Sequence, residues 1–427
     1  MSEVHSSITL EFIYFLNSFS FFLDDKTKFT EIMSFRSPTS YGILNGVGLE
    51  SSSVVAGSGP SSTEIGDFAV ATGPNAVAIG ASPVASGANS IAVGLDAVAT
   101  QLNNIAIGTS AISTGVDGSI AIGWGSNATA NNAIAVGEFS VPTEGALAIN
   151  SIAIGVKAKV PAAASDGIAI GTRPVATGID SINLGRNTSN VVVTTGAMAD
   201  RAIAIGADAR ASGADSIHIG GGSAVTGASA VDAIAIGRVA VANSISAIAI
   251  GSTASATGPG APIAVGVSAS ATGVGTGNAI AIGNLARATA DNSIAIGNNA
   301  TPSMTSGQNA VAIGANADAL GTSSVAIGFG ANVFAPGASA ISIGNSASVT
   351  GLAGVAIGGT AADAGIALGV GSNAPANTLA LGSVAQPLLG SLVVGAAGPA
   401  AALPATPLAY LIVHINGSPN KIPLYNN

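Results

Sequence analysis

Apolar residues come in short alternating bursts. Residues 278–297 read Asn278-Ala-Ile-Ala-Ile-Gly283, then Asn284-Leu-Ala-Arg-Ala-Thr-Ala-Asp291, then Asn292-Ser-Ile-Ala-Ile-Gly297. The unit returns after fourteen residues and recurs from Val77 to Gly395. About twenty-two copies end in Ile/Val/Leu-x-Ile/Val/Leu-Gly, and a fixed period of this kind predicts a solenoid. Gaps longer than fourteen mark insertions, the largest around Thr188–Asp200; shorter gaps near Gly369 and Gly395 mark a tightening at the end.

One unit predicts one coil. In Ile294-Ala295-Ile296 the two Ile share one strand face and Ala takes the other, because a strand has period two. The Ile ladders are expected to fill the interior. Gly297 is expected to take a backbone conformation closed to other residues, or to make room for a neighbouring coil. The Asn or Asp before the strand, as in Asp180-Ser181, Asp215-Ser216 and Asn292-Ser293, suits a left-handed turn. Small alternating residues such as Ala315-Asn316-Ala317-Asp318-Ala319 make a second short strand. Coils stacked by parallel pairing at ~4.8 Å each would give a rod of roughly 100 Å.

The rest of the chain divides by composition. Residues 1–32 are an aromatic N-terminal segment, read either as upstream of a true start at Met33 or as a weak signal-anchor. Its apolar run lacks a basic start and contains Glu11 and Asn17. Residues 33–65 are rich in Ser, Gly and Pro and are expected to cap the solenoid, whose repeats occupy 66–395. Residues 396–427 are an Ala/Pro linker followed by a β-hairpin: strand Tyr410–Ile415, turn Asn416-Gly417, then strand Lys421–Tyr425 with Pro423 at an edge.

Composition then narrows the function. Charged residues are 8% of the 427, against roughly 25% in ordinary soluble domains. A chain with so little charge is expected to bury its apolar surface between identical copies. The net charge of −9 is thinly spread, with no basic stripe to follow a phosphate backbone, which argues against nucleic acid. There is no cysteine, so disulfides and thiolate metal sites are excluded.

The units Ser90-Ile-Ala-Val-Gly94, Ser119-Ile-Ala-Ile-Gly123, Ser151-Ile-Ala-Ile-Gly155 and Ser293-Ile-Ala-Ile-Gly297 resemble the head repeats of trimeric autotransporter adhesins, the YadA-like head. The resemblance covers residues 66–395. It implies an all-β, left-handed parallel β-roll of ~14-residue coils, three of which associate side by side into a surface fibre head. The heptad stalk and the membrane-barrel strands of that family are not found in the sequence, so no transmembrane barrel of its own is expected. Leu403-Pro404 through Asn416-Gly417 to Ile422-Pro423-Leu424-Tyr425 looks similar to the C-terminal ends of structural and repeat proteins of large algal DNA viruses, which implies a tag that docks or terminates a virion surface protein.

Candidate chemistry is sparse. His218 stands in Ile217-His-Ile219 where Ala is usual, and reads as a solvent-facing substitution, or as a residue approaching a trimer axis to bind a metal or anion. The acids are isolated and fit turns better than the carboxylate pair of a glycosidase. Lys157, Lys159, Arg173, Arg186, Arg201, Arg210, Arg238 and Arg287 lie in the middle third, either as scattered solvated charge or as a patch for acidic glycans. The candidate contact positions are Arg186, Asn187, His218 and Arg238, near the insertions 186–200 and 221–233. The expectation is a non-enzymatic homotrimer without cofactor, on a virion surface or otherwise extracellular, binding a host-cell glycan or protein. Two alternatives stand beside it: a bacterial trimeric autotransporter head lacking its own anchor, and a tailspike-like polysaccharide depolymerase.

Overall fold

A computed structural model describes residues 54–383, apart from 189–194, 223–225, 274, 276, 303–307 and 335–337, together with the strands Ala409–Ile415 and Ser418–Leu424. The aromatic segment 1–32 and the linker therefore lie outside the described residues. The chain divides into two compact units, Met1–Ser246 and Ala247–Asn427.

In the first unit most coils pair a three-residue long strand with a two-residue short one; the long strands Ile168–Thr172 and Ile182–Arg186 have five residues. Long strands run from Thr63–Ile65 to Ile234–Ile236 and stack parallel with like on like. Ile91 pairs with Ile105, Ala92 with Ala106 and Val93 with Ile107. Short strands form a second wall from Val70–Ala71 to Lys159–Val160, and resume at Gly196–Ala197. Across that break the bridges Lys159–Val175 and Ala176–Ala197 keep the wall continuous. Val54–Ala56 folds back antiparallel on Thr63–Ile65, covering an otherwise open strand edge.

The second unit repeats the plan, with long strands from Ile248–Ile250 to Leu379–Leu381 and short ones from Ser255–Ala256 to Asn373–Ala374. Ile280, Ala281 and Ile282 pair in register with Ile294, Ala295 and Ile296. Ala409–Ile415 and Ser418–Leu424 pair antiparallel, with Ile415 opposite Ser418. The chain is thus an all-β parallel solenoid of about 21 coils with a C-terminal hairpin.

The interior is not made of isoleucine, which corrects the expectation from the alternation. Alanine fills it: Ala281, Ala286, Ala288 and Ala295 are all fully buried. Ile282 and Ile296 keep 39% and 36% of their surface exposed in the single chain. The reason is volume. Both walls turn mainly Ala and Ser inward across a narrow slot, which admits a branched Val at scattered short-strand positions such as Val160, Val333 and Val349 but has no room for a column of Ile. Ser293 at the coil entrance is also buried, and its hydroxyl donates to the Ala290 carbonyl at 2.6 Å.

The turns follow the expected logic. Asp180, Asp215 and Asn292 take φ of 56°, 57° and 52°, the left-handed region that Asn and Asp tolerate. Their side chains continue the stacking: Asn75 donates to Asn89, and Asn89 to Asn103, each at 3.1 Å. Gly297 needs glycine for both anticipated reasons. Its φ is +135°, and a Cβ there would lie 2.4 Å from the Gly314 carbonyl oxygen of the next coil.

Candidate interaction surface

With Ala facing in, the long strands present two columns of Ile and Val outward. In the first unit they include Ile107 and Ile122, at 38% and 37% exposed. In the second they include Ile282 and Ile296. The turn after the long strand adds exposed Leu95 and Trp124 to the first unit, and Val267, Phe329 and Val370 to the second. A flat, regular apolar face of this kind is unusual on a solitary soluble chain.

Where a coil is lengthened, an inward or turn-facing polar group takes up hydrogen bonds that the regular ladder would have made. The coil between Gly108 and Gly123 is held by buried Asn104, Ser113 and Ser119. The Asn104 amide donates to the carbonyls of Ser113 and Gly115, both at 3.0 Å, and its oxygen accepts from Ser119 N–H at 3.0 Å. Asn127 donates to Pro142 at 2.7 Å in the next lengthened coil. Beside the longest insertion, Asn183 replaces the usual Ala and donates to the Val175 carbonyl at 3.0 Å. A Cβ on Gly196 would lie 2.9 Å from that amide nitrogen, so the glycine makes room for it. Asp208 accepts from the Thr188 N–H at 2.6 Å and from its hydroxyl at 2.5 Å, pinning the insertion's first residues. Large polar residues in an Ala column were the available signal for this network, and only His218 was read that way from sequence.

His218 is the second correction. It is fully buried inside its coil, so it neither faces solvent nor reaches another chain. Its Nδ1 accepts the Arg210 backbone N–H at 2.8 Å, which leaves the proton of the neutral ring on Nε2. A Cβ on Gly222 or on Gly227 would come within 2.8 Å of the ring, so these two glycines create its space. Burial pulls its pKa below the ordinary value.

Arg186, the last residue of the strand Ile182–Arg186, and Arg238, on the turn after Ile234–Ile236, are both exposed, with the coils ending at Gly206 and Gly220 between them. Asn187, between exposed Arg186 and Thr188, is only 8% exposed, and its backbone N–H donates to Thr172 at 3.0 Å. The structure therefore puts Arg186 and Arg238 on one edge of the first unit and leaves Asn187 mostly covered. The insertion residues 189–194 and 223–225 lie outside the described residues.

Strands of identical register, Ala inside, Ile outside and a stacked glycine after each long strand define the repeat. The family of the YadA head domain repeat (2 copies) matches residues 58–82, 85–115, 117–140, 146–173, 199–223, 228–254, 277–300 and 306–331. The chain carries YadA head repeats. The YadA head family comprises non-enzymatic, surface-exposed adhesins that act as trimers. The matched segments fall on both units. A search of curated proteins found no match.

Proposed function

We propose that this YadA-type chain is a homotrimeric, non-enzymatic attachment fibre displayed on a virion surface, where it binds the surface of a host cell. The observation that carries the reading is the outward Ile/Val face. A coil cored by Ala buries little apolar area within one chain, while its largest side chains stand half-exposed in columns. Three copies joined along that face would remove those columns from water. Triplication would also multiply weak surface contacts into firm attachment. The viral part of the reading rests on the C-terminal segment from Leu403 to Tyr425.

Light scattering of the full chain during size-exclusion chromatography tests the assembly. Three chain masses are expected. Ile282→Lys with Ile296→Lys should reduce them to one while the circular dichroism stays that of β-structure. A wild-type monomer would refute the fibre. Competition by purified protein against particle adsorption to host cells tests the attachment: adsorption should fall with dose, and unchanged adsorption would refute the virion role.

A further inference from the structure

The turn ladder of the first unit brings together residues that lie far apart in sequence. Backbone N–H groups of Phe139, Lys157, Arg173, Asn187 and Asp208 donate in turn to Trp124, Glu138, Val156, Thr172 and Arg186, at 2.8 to 3.0 Å. Successive coils therefore stack Trp124, Glu138, Val156, Thr172 and Arg186 in one column, and place Lys157 and Arg173 in the adjoining column, one residue further along the turn. At ~4.8 Å per coil, Trp124 and Arg186 stand roughly 19 Å apart. Trp124 is 53% exposed, while Phe139 beside it is buried and anchors the turn. Among the described residues neither Lys157 nor Arg186 is in an ion pair.

We propose that the edge from Trp124 to Arg186 binds an acidic polysaccharide. Trp124 supplies an apolar face for a sugar ring, and Lys157, Arg173 and Arg186 meet the carboxylate or sulfate groups of the sugars that follow. Lys157, Arg173 and Arg186 are carried by three consecutive coils and concentrate positive charge that a polyanion matches. Exposed Glu138, between the ring and the cations, accepts hydrogen bonds from sugar hydroxyls. That mixture favours an acidic glycan over nucleic acid. The inference deepens the attachment reading and rests on it for its biological setting, but the binding is measured separately.

Trp124 is the only tryptophan in the chain, so intrinsic fluorescence reports on this edge alone. The full chain is titrated with dextran sulfate, polygalacturonate, neutral dextran and single-stranded DNA. A saturable change in Trp124 emission is expected with one or both acidic polysaccharides and not with dextran; which of them binds identifies sulfate or carboxylate. The triple variant Lys157→Gln, Arg173→Gln, Arg186→Gln should weaken binding about tenfold or more at low salt and flatten its salt dependence. Arg287→Gln should leave both unchanged. If the triple variant fails to fold, Arg186→Gln alone, at an exposed site, should still weaken binding. With a labelled polysaccharide, Trp124→Ala should weaken binding without changing the salt slope. No emission change with either acidic polymer, equal binding of DNA, or an unaffected triple variant would overturn the proposal. A trimer that still blocks adsorption with the triple variant removes the edge and keeps the attachment role. A monomer that binds the polysaccharide keeps the edge and removes the fibre.

Discussion

Two glycines of the second unit separate the effect of close stacking from that of positive φ. Gly330 has φ +62°, and a Cβ there would find only the Ser346 hydroxyl, at 3.7 Å. Alanine at that site meets the left-handed penalty of roughly 1–2 kcal/mol, partly offset by the stiffer unfolded chain. The net loss should be about 1 kcal/mol. Gly297 has φ +135°, a region almost closed to alanine, which alone costs about 1–3 kcal/mol. Its Cβ would also press within 2.4 Å of the Gly314 oxygen and 2.6 Å of the Gly314 carbonyl carbon. Relief requires the coils to part, which loosens the bonds from Gly297 to Ile282 at 2.8 Å and from Gly314 to Ile296 at 2.7 Å. At about 1 kcal/mol per ladder bond, the total for Gly297→Ala is about 3–5 kcal/mol. Stacked repeats open locally, so the assay is amide hydrogen exchange across residues 280–330 alongside a thermal melt. Gly297→Ala should speed exchange in the coils on both sides and Gly330→Ala only slightly in its own turn. Equal effects from the two substitutions would refute the stacking argument.

Other expectations follow from single side chains. The folded pKa of His218 is depressed, so its contribution is fully present above the unfolded value near 6.5. It is lost as pH falls below that value, at up to about 1.4 kcal/mol per pH unit, until the folded pKa is reached. Melts between pH 7.5 and 5 should therefore show falling stability that His218→Ala flattens; an identical slope in the variant would sink the assignment. Asn104→Ala strands the buried Ser119 N–H and the Gly115 carbonyl and leaves the Ser113 carbonyl with only the Thr100 N–H at 3.3 Å, and should cost about 2–3 kcal/mol in urea unfolding of the first unit. The Arg201–Asp215 pair is different: their mutual hydrogen bond raises the Arg pKa and lowers the Asp pKa, but both side chains are well exposed. Arg201→Ala should leave the melting midpoint unchanged, and a clear drop would show the pair to matter more than its exposure allows.

The coil was legible in the sequence because each of its positions has a local physical cause. The glycine at 297, the left-handed Asn292 and the in-register Ile-Ala-Ile burst could all be read without knowing what lay across the coil. The direction of the burst could not. Alternation with period two is symmetric between faces, and hydrophobicity alone assigns the larger side chain to the interior. The deciding quantity is the width of the slot, set by both walls together. Ala281 and Ala286, or Ala295 and Ala300, only show it when aligned across the turn between them. The same alignment would have placed His218 inside, since it occupies the Ala column and is followed by Gly222 and Gly227. The edge from Trp124 to Arg186 was hidden for another reason. Coils of unequal length carry its members out of sequence register, and only the backbone ladder restores it.

Like-on-like stacking has a consequence for how such a chain changes over generations. Because Ile280, Ala281 and Ile282 meet the same residue types in Ile294, Ala295 and Ile296, removing residues 284–297 would join two matching surfaces with no side chain out of place. Duplication of a coil is equally silent to the interior. Each unit is thus adjustable in whole steps of ~4.8 Å, like a ruler that can be cut at any mark, so selection can lengthen or shorten it without redesigning a core.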